Sequence, residues 1–319
     1  MPELFDRNIT VPGFSTQFPD AHCVADGSIC QLTTAMGEIN AASTLMALLF
    51  SPSFNLSSTY FLLAGIGGIN PYLGTLASVT MARYAVQFDL THEFDARQIP
   101  SNWSTGLVPQ GAKVPTSYTP AAYPQSVYGT EAFELNDALK KRFVGLLDGV
   151  ELADSEVARA YRARYGFAPA NEGPGVVECD SGTSNPYWSG SKMADAFGEY
   201  MKLLTNGTGK YCNTQQEDNA TLESLLRGHL MKRVDFSRIA ILRTGSNFDR
   251  APPGVSTTDH LLHMEQGGFA PAIENIWRAG RVIVKDIVKN WEGVYKGGIK
   301  TDNYVGDVLN RVGGTPDIG

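Results

Sequence analysis

Hydrophobic and polar positions mark out the elements of this chain before any chemistry is considered. Ile39, Ala42, Leu45, Met46 and Leu49 recur at helical spacing and predict a helix that opens after Ala35-Met36-Gly37 and stops before Pro52. Tyr60–Ala64 is a short apolar run of large side chains bounded by glycine, the pattern of a buried strand. Gly65, Gly67 and Gly68 follow, then Asn70-Pro71, and a glycine turn is expected here with backbone N–H groups facing a ligand. Gly67 and Gly68 are therefore candidate substrate-binding residues. Further strands are expected over Ser78–Tyr84, from Gly175 onwards and over Ser237–Leu242. Phe133–Tyr165 reads as an outer helix or a helix pair, and Met193–Leu204 as an amphipathic helix. A long last helix, Ala270–Tyr295, should pack Ile273, Ile276, Val282 and Val284 against the sheet. Strands and helices in this order predict an α/β protein, whose ligands bind outside the carboxyl ends of strands.

Two stretches lack a period. Residues 1–22 read as a surface lead-in. Residues 98–130 hold prolines at 100, 109, 115, 120 and 124 together with Tyr118, Tyr123 and Tyr128, and are expected to form a lid or an oligomer-contact insertion in a single domain spanning 1–319. The glycine stretch is not a dinucleotide fingerprint, because Asn70 stands at the sixth position and Pro71 follows where a helix should open.

Composition narrows the function classes. A hydrophobic share of 43% supports a sizeable core, and the net charge of −7 disfavours nucleic acid or an anionic membrane surface as partner. The longest apolar stretches, Leu45–Phe50 and Tyr60–Ile69, fall well short of the about 20 residues a spanning helix needs, so no membrane span is expected. None of the five histidines sits in a metal-ligand pattern; His260 and His263 read as helix-surface residues. No Ser-His-Asp order or nucleophile elbow is present, and no metal, cofactor or covalent intermediate is predicted.

Cysteine usage points outward from the cell. Cys23 and Cys30 flank Asp26-Gly27 symmetrically, so a two-residue type I′ hairpin would set them opposite each other with Cα atoms about 5.5 Å apart, in disulfide range. Cys179 and Cys212 remain as a second candidate pair. Five N-x-[ST] sequons, at Asn8, Asn55, Asn102, Asn206 and Asn219, agree with a secreted or cell-wall-associated protein, although no signal peptide is visible.

Strand, glycine turn, polar link and strand around Tyr60–Tyr84 resemble the centre of the nucleoside phosphorylase and nucleosidase fold. The stretches FPDAHCVADGSICQL, GEINAAST, AGIGGINP, SVTMARYAVQ and EFDARQIP, at residues 18–32, 37–44, 64–71, 78–87 and 93–100, are similar to the fungal family named purine nucleoside permeases. The resemblance covers nearly the whole chain. It implies a three-layer sandwich with a central mixed sheet flanked by helices, nucleoside phosphorylase-like, and a purine nucleoside as ligand. Homo-oligomers are usual among relatives.

The resemblance also implies site residues. Gly37, at a strand-to-helix corner, stands where relatives hold phosphate; no Arg or Lys lies between Arg7 and Arg83, and Glu38 would repel an anion, which favours water as co-substrate. Tyr187 and Trp188 lie where an aromatic stacks on the purine, or are plain packing. Glu217, or its neighbour Asp218, would accept from the ribose 2′- and 3′-hydroxyls; an acidic helix start explains both residues equally well. Asn247 occupies the place of a base-contacting aspartate and would stabilise the departing purine, with Asp249 the catalytic alternative in a shifted register. Relatives carry a water-activating glutamate on a first strand, expected here before residue 1. Three functions follow: hydrolytic nucleosidase, secreted nucleoside-binding protein without turnover, or phosphate-dependent phosphorylase.

Overall fold

The predicted strands hydrogen-bond into one mixed sheet of nine. This computed structural model describes residues 2–115, 126–316 and 318. The chain runs β1 (Arg7–Thr10), β2 (Asp20–Cys23), β3 (Cys30–Gln31), α1 (Glu38–Phe50), β4 (Phe61–Ile69), β5 (Val79–Ala82) and β6 (Tyr84–Gln87). It continues with β7 (Thr91–Glu93), β8 (Leu107–Pro109), β9 (Ala132–Glu134), α2 (Asp137–Leu146), α3 (Glu156–Arg162), β10 (Val176–Glu178) and β11 (Asp180–Thr183). Then come α4 (Ser191–Leu204), β12 (Tyr211–Gln215), α5 (Asp218–Leu230), β13 (Ile239–Phe248), α6 (Thr257–Leu262), α7 (Phe269–Lys289) and β14 (Gly306–Asp307). The sheet order is β10-β5-β13-β4-β12-β11-β6-β9-β14. At its centre β13 runs parallel to β4, and β12 lies antiparallel on the other side of β4.

Helices cover both faces. Along β13 the side chains alternate: Ile239 and Ile241 pack with Leu45, Leu48, Leu222 and Leu225 of α1 and α5, while Ala240 and Leu242 pack with Leu139, Phe143, Ala279 and Ile283 of α2 and α7. The alternating burial of one strand thus builds the three-layer α/β sandwich that the resemblance implied.

Several expectations are corrected. The strand predicted to end at Ala64 continues to Ile69, so Gly65, Gly67 and Gly68 lie within β4 and form no turn. Ile39 is 83% exposed, and α1 buries Ala41, Thr44, Leu45, Leu48 and Leu49 instead. In α7 the buried face is Ala272, Asn275, Ala279, Gly280 and Ile283, and Ile273 points outward. Small residues let this helix lie close on the sheet, a contact that a count of large apolar residues misses. His260 is buried rather than on a helix surface; its ring bonds Tyr161 through Nδ1 and the Phe248 carbonyl through Nε2, and burial lowers its pKa. The lead-in contains two strands, β1 and β2, paired antiparallel. The described part of the 98–130 stretch includes β8, which pairs with β7; residues 116–125, with Tyr118, Tyr123 and Pro120, lie outside the described residues.

Both expected disulfides are present. Cys23 pairs with Cys30 across β2 and β3 at a Cα separation of 4.1 Å, and Cys179 with Cys212 at 5.6 Å. The hairpin differs from the two-residue type I′ turn: the Val24 N–H bonds the Ile29 carbonyl, and of Asp26 and Gly27 only Gly27 has a positive φ, +74°. The longer connection leaves the cysteines opposite each other because it adds equally to both arms.

Candidate functional site

The site gathers where β4, β12 and β13 run side by side and where the 184–190 segment and the start of α1 meet them. Arg243 of β13 is its buried centre. A Cβ on Gly65 would stand 2.5 Å from the Arg243 Nη1, so the guanidinium lies in the space that a side chain would fill. Two carboxylates take up its charge: Asp218, 1% exposed, and Glu217 at 3.3 Å. Asp218 also accepts from the Ser181 hydroxyl at 2.7 Å. The Gln215 side chain receives the Glu217 and Asp218 backbone N–H groups at 2.6 and 2.7 Å, which fixes the first turn of α5.

Glu217 reaches on to α1. Its Oε1 accepts the Gly37 N–H at 3.1 Å, and the next N–H, of Glu38, goes to Asn185 Oδ1 at 3.0 Å. The strand-to-helix corner expected to hold an anion or a hydroxyl therefore holds one of the protein's own carboxylates. Gly37 has φ +88°, and a Cβ there would come within 3.3 Å of Asn185 Oδ1, so glycine serves both the backbone and the contact. The corner does meet a cation, Arg243, brought from 206 residues further along the chain, with its charge already matched.

Glu38 is the residue that sequence reasoning weighed only as a repeller of phosphate. Gln87 Nε2 donates to both of its oxygens, at 2.7 and 2.8 Å, and Asn185 Nδ2 to one at 3.2 Å. Burial, reinforced by the nearby charges of Asp89 and Glu217, outweighs these hydrogen bonds and pushes its pKa up to about 7. Asp89 is itself held by the Ser184 hydroxyl and the Asn185 N–H. The available signal was an acidic residue directly after the corner glycine, in the first turn of α1.

The other end of the 184–190 segment builds the second half. The Tyr187 hydroxyl donates to Asn247 Oδ1 at 2.9 Å, joining two of the predicted residues, and the Tyr187 ring is 60% exposed. Asn247 follows a bulge at Ser246 in the β13–β4 pairing and stands opposite Gly68. Its Nδ2 donates to the Phe248 carbonyl at 3.2 Å, which leaves one amide hydrogen without an acceptor among the described residues.

The remaining candidates take structural positions. Gly68 donates its N–H to Thr214 Oγ1 at 3.0 Å, and a Cβ on Gly67 would lie 2.3 Å from the Thr214 carbonyl oxygen. These glycines let β12 approach β4, and the Gly68 N–H is already engaged by Thr214. Trp188 is 7% exposed, bonds the Tyr211 hydroxyl and packs edge-on against Phe88 and Phe197, so it belongs to the core. Asp249 is buried in an ion pair with Arg250, and burial raises its pKa. It takes no part in the Glu217 and Glu38 network. No group of metal-ligating side chains occurs among the described residues, and no helix among them is long and apolar enough to cross a membrane.

Comparison with known proteins adds the following. The family model described as purine nucleoside permease matches residues 1–300. A purine nucleoside permease of Candida albicans is 43% identical over 321 residues, covering 99% of this chain and 78% of that protein. A protein of Schizosaccharomyces pombe named as a probable purine nucleoside permease is 39% identical over 298 residues, covering 91% of this chain and 84% of its own length. Among solved structures, the 5′-methylthioadenosine/S-adenosylhomocysteine nucleosidase of Neisseria meningitidis in complex with methylthio-immucillin-A is similar at 13% identity and a TM-score of 0.49, over 89% of this chain and 92% of that one. The futalosine hydrolase of Helicobacter pylori is similar at 12% identity and a TM-score of 0.44, over 88% and 91%.

Proposed function

The chain belongs to the purine nucleoside permease family, and from that premise we propose that it binds a purine nucleoside between Glu217 and Asn247 and hydrolyses its N-glycosidic bond. The observation that carries the proposal is Glu38, a carboxyl with its pKa near 7 at the same corner as Glu217. A base poised near the working pH suits proton transfer from water. Glu38 takes a proton from water as the oxygen bonds to C1′ and the C1′–N9 bond breaks. Glu217, held beside Arg243, accepts from the ribose 2′- and 3′-hydroxyls. The electron pair leaves with the purine as an anion, whose N7 accepts a hydrogen bond from the remaining amide hydrogen of Asn247 until solvent protonates it, and the Tyr187 ring lies beside the base. Glu38 supplies the glutamate role expected before residue 1.

A second function, nucleoside binding without turnover on behalf of a separate transporter, is favoured by the double hydrogen bond that Gln87 makes to Glu38, which occupies both oxygens of the base. The test is incubation of inosine, guanosine and adenosine with the protein in phosphate-free buffer, followed by chromatography for free base. Base release that Glu217→Gln abolishes is the expected result. No release, with binding still measurable by calorimetry, would leave the binding function in its place. The paired cysteines accord with an exported protein, and we assign it to the secreted or cell-wall fraction.

A further inference from the structure

The structure sorts the five sequons, and we propose that Asn8, Asn55, Asn102 and Asn206 carry N-linked glycans while Asn219 does not. The sugar attaches through asparagine Nδ2, so the state of that atom decides whether the folded protein tolerates a glycan. Asn8, Asn55, Asn102 and Asn206 are all exposed. Among the described residues the Asn8 side chain is bound only through Oδ1, to His22 at 2.7 Å, and that of Asn55 only through Oδ1, by the backbone N–H and hydroxyl of its own sequon serine, Ser57, at 3.2 and 2.8 Å. Asn206 sits in a turn with φ +50° after α4. None of the four Nδ2 groups has a hydrogen-bond acceptor among the described residues.

Asn219 is the opposite case. It is 1% exposed; its Nδ2 donates to the Thr130 carbonyl at 2.7 Å, and its Oδ1 accepts from Thr183 at 2.7 Å. A sugar on that nitrogen would remove a buried hydrogen bond and force apart α5 and the segment before β9. It would also displace the turn that carries Glu217 and Asp218. Glycosylated chains at this position cannot reach the folded state.

A second observation points to the same compartment. All four cysteines are in disulfides, which require an oxidising environment, and the lumen that supplies it also holds the glycosylation machinery. In the reaction a lipid-diphosphate-linked oligosaccharide is the donor. The bond from sugar C1 to the diphosphate oxygen breaks, a bond from C1 to Nδ2 forms, the lipid diphosphate leaves, and the amide nitrogen loses one proton. The proposal is independent of the nucleoside chemistry, so a failed base-release assay does not touch it.

The test uses the full chain isolated from the cells that naturally make it, and in parallel the chain secreted from a eukaryotic host. Amidase deglycosylation, which converts each formerly modified asparagine to aspartate, is followed by peptide mass spectrometry. Aspartate at Asn8, Asn55, Asn102 and Asn206 with Asn219 unchanged is the expected result. Single Asn→Gln changes at the four exposed positions should each remove one step from the mobility ladder of the secreted protein. An intact mass of bare polypeptide from the natural source, or modified Asn219 in folded protein, would overturn the proposal.

Discussion

Glu38 illustrates how a single side chain acquires its chemistry. A solvated glutamate titrates near 4.5, and burial beside Asp89 and Glu217 moves this one to about 7. If its ionised form takes the proton from water, base release rises with pH up to about 7 and then levels. Glu38→Gln should lower turnover by about 10²–10⁴ and remove the pH-dependent limb, while nucleoside affinity changes little; pH–rate profiles of the two proteins check this. Stability moves the other way. Between about 4.5 and 7 the folded chain holds a proton that the unfolded chain has released, so this group's contribution to stability declines as pH rises through that window. Thermal unfolding of Glu38→Gln should show a shallower decline over the same range. A retained limb in the variant would assign the titration to another group.

At the scale of elements, the approach of β12 to β4 decides whether the site exists. Gly67→Ala would set a methyl 2.3 Å from the Thr214 carbonyl oxygen, a backbone atom that cannot swing aside. The strands must separate, at a cost of about 2–3 kcal/mol, which urea unfolding measures directly; an unchanged midpoint would contradict the geometry. The two disulfides constrain different lengths of chain, 33 residues for Cys179–Cys212 and 7 for Cys23–Cys30. Loop-closure entropy assigns them about 3.7 and about 2.4 kcal/mol. Paired Cys→Ser changes at 179 and 212 should therefore destabilise more than those at 23 and 30. Much of this scale is legible in the sequence. β4, β13 and α4 stand out as apolar or amphipathic runs, and the hairpin cysteines can be counted into register. The extension of β4 through its glycines is not legible, because a glycine-rich stretch reads as a turn unless a neighbouring strand is known to need the space.

For the molecule as a whole, charge placement bears on the co-substrate. The net charge is −7, and Glu38, Asp89 and Glu217 crowd the corner where a phosphate would bind. Arg243, the cation there, is matched by Asp218 and Glu217. An incoming phosphate would face repulsion at a partly desolvated corner, where charges interact more strongly than in water. Base release should accordingly be independent of phosphate concentration; a rate that climbs and saturates with phosphate would mark a phosphorylase. Local information in the chain determined the central strands, the presence of α1, α4 and α7 and the cysteine pairing, while Glu217 and Asn247 were picked out by the resemblance. Hydrophobic period, turn spacing and residue type act over a few positions, so they can be read without a fold. Only the tertiary structure decided that Trp188 is core while Tyr187 meets Asn247, that Arg243 fills the space left by Gly65, and that Glu38 titrates near 7. Those outcomes depend on desolvation and charge shared among segments 49 to 180 residues apart, which no local pattern encodes.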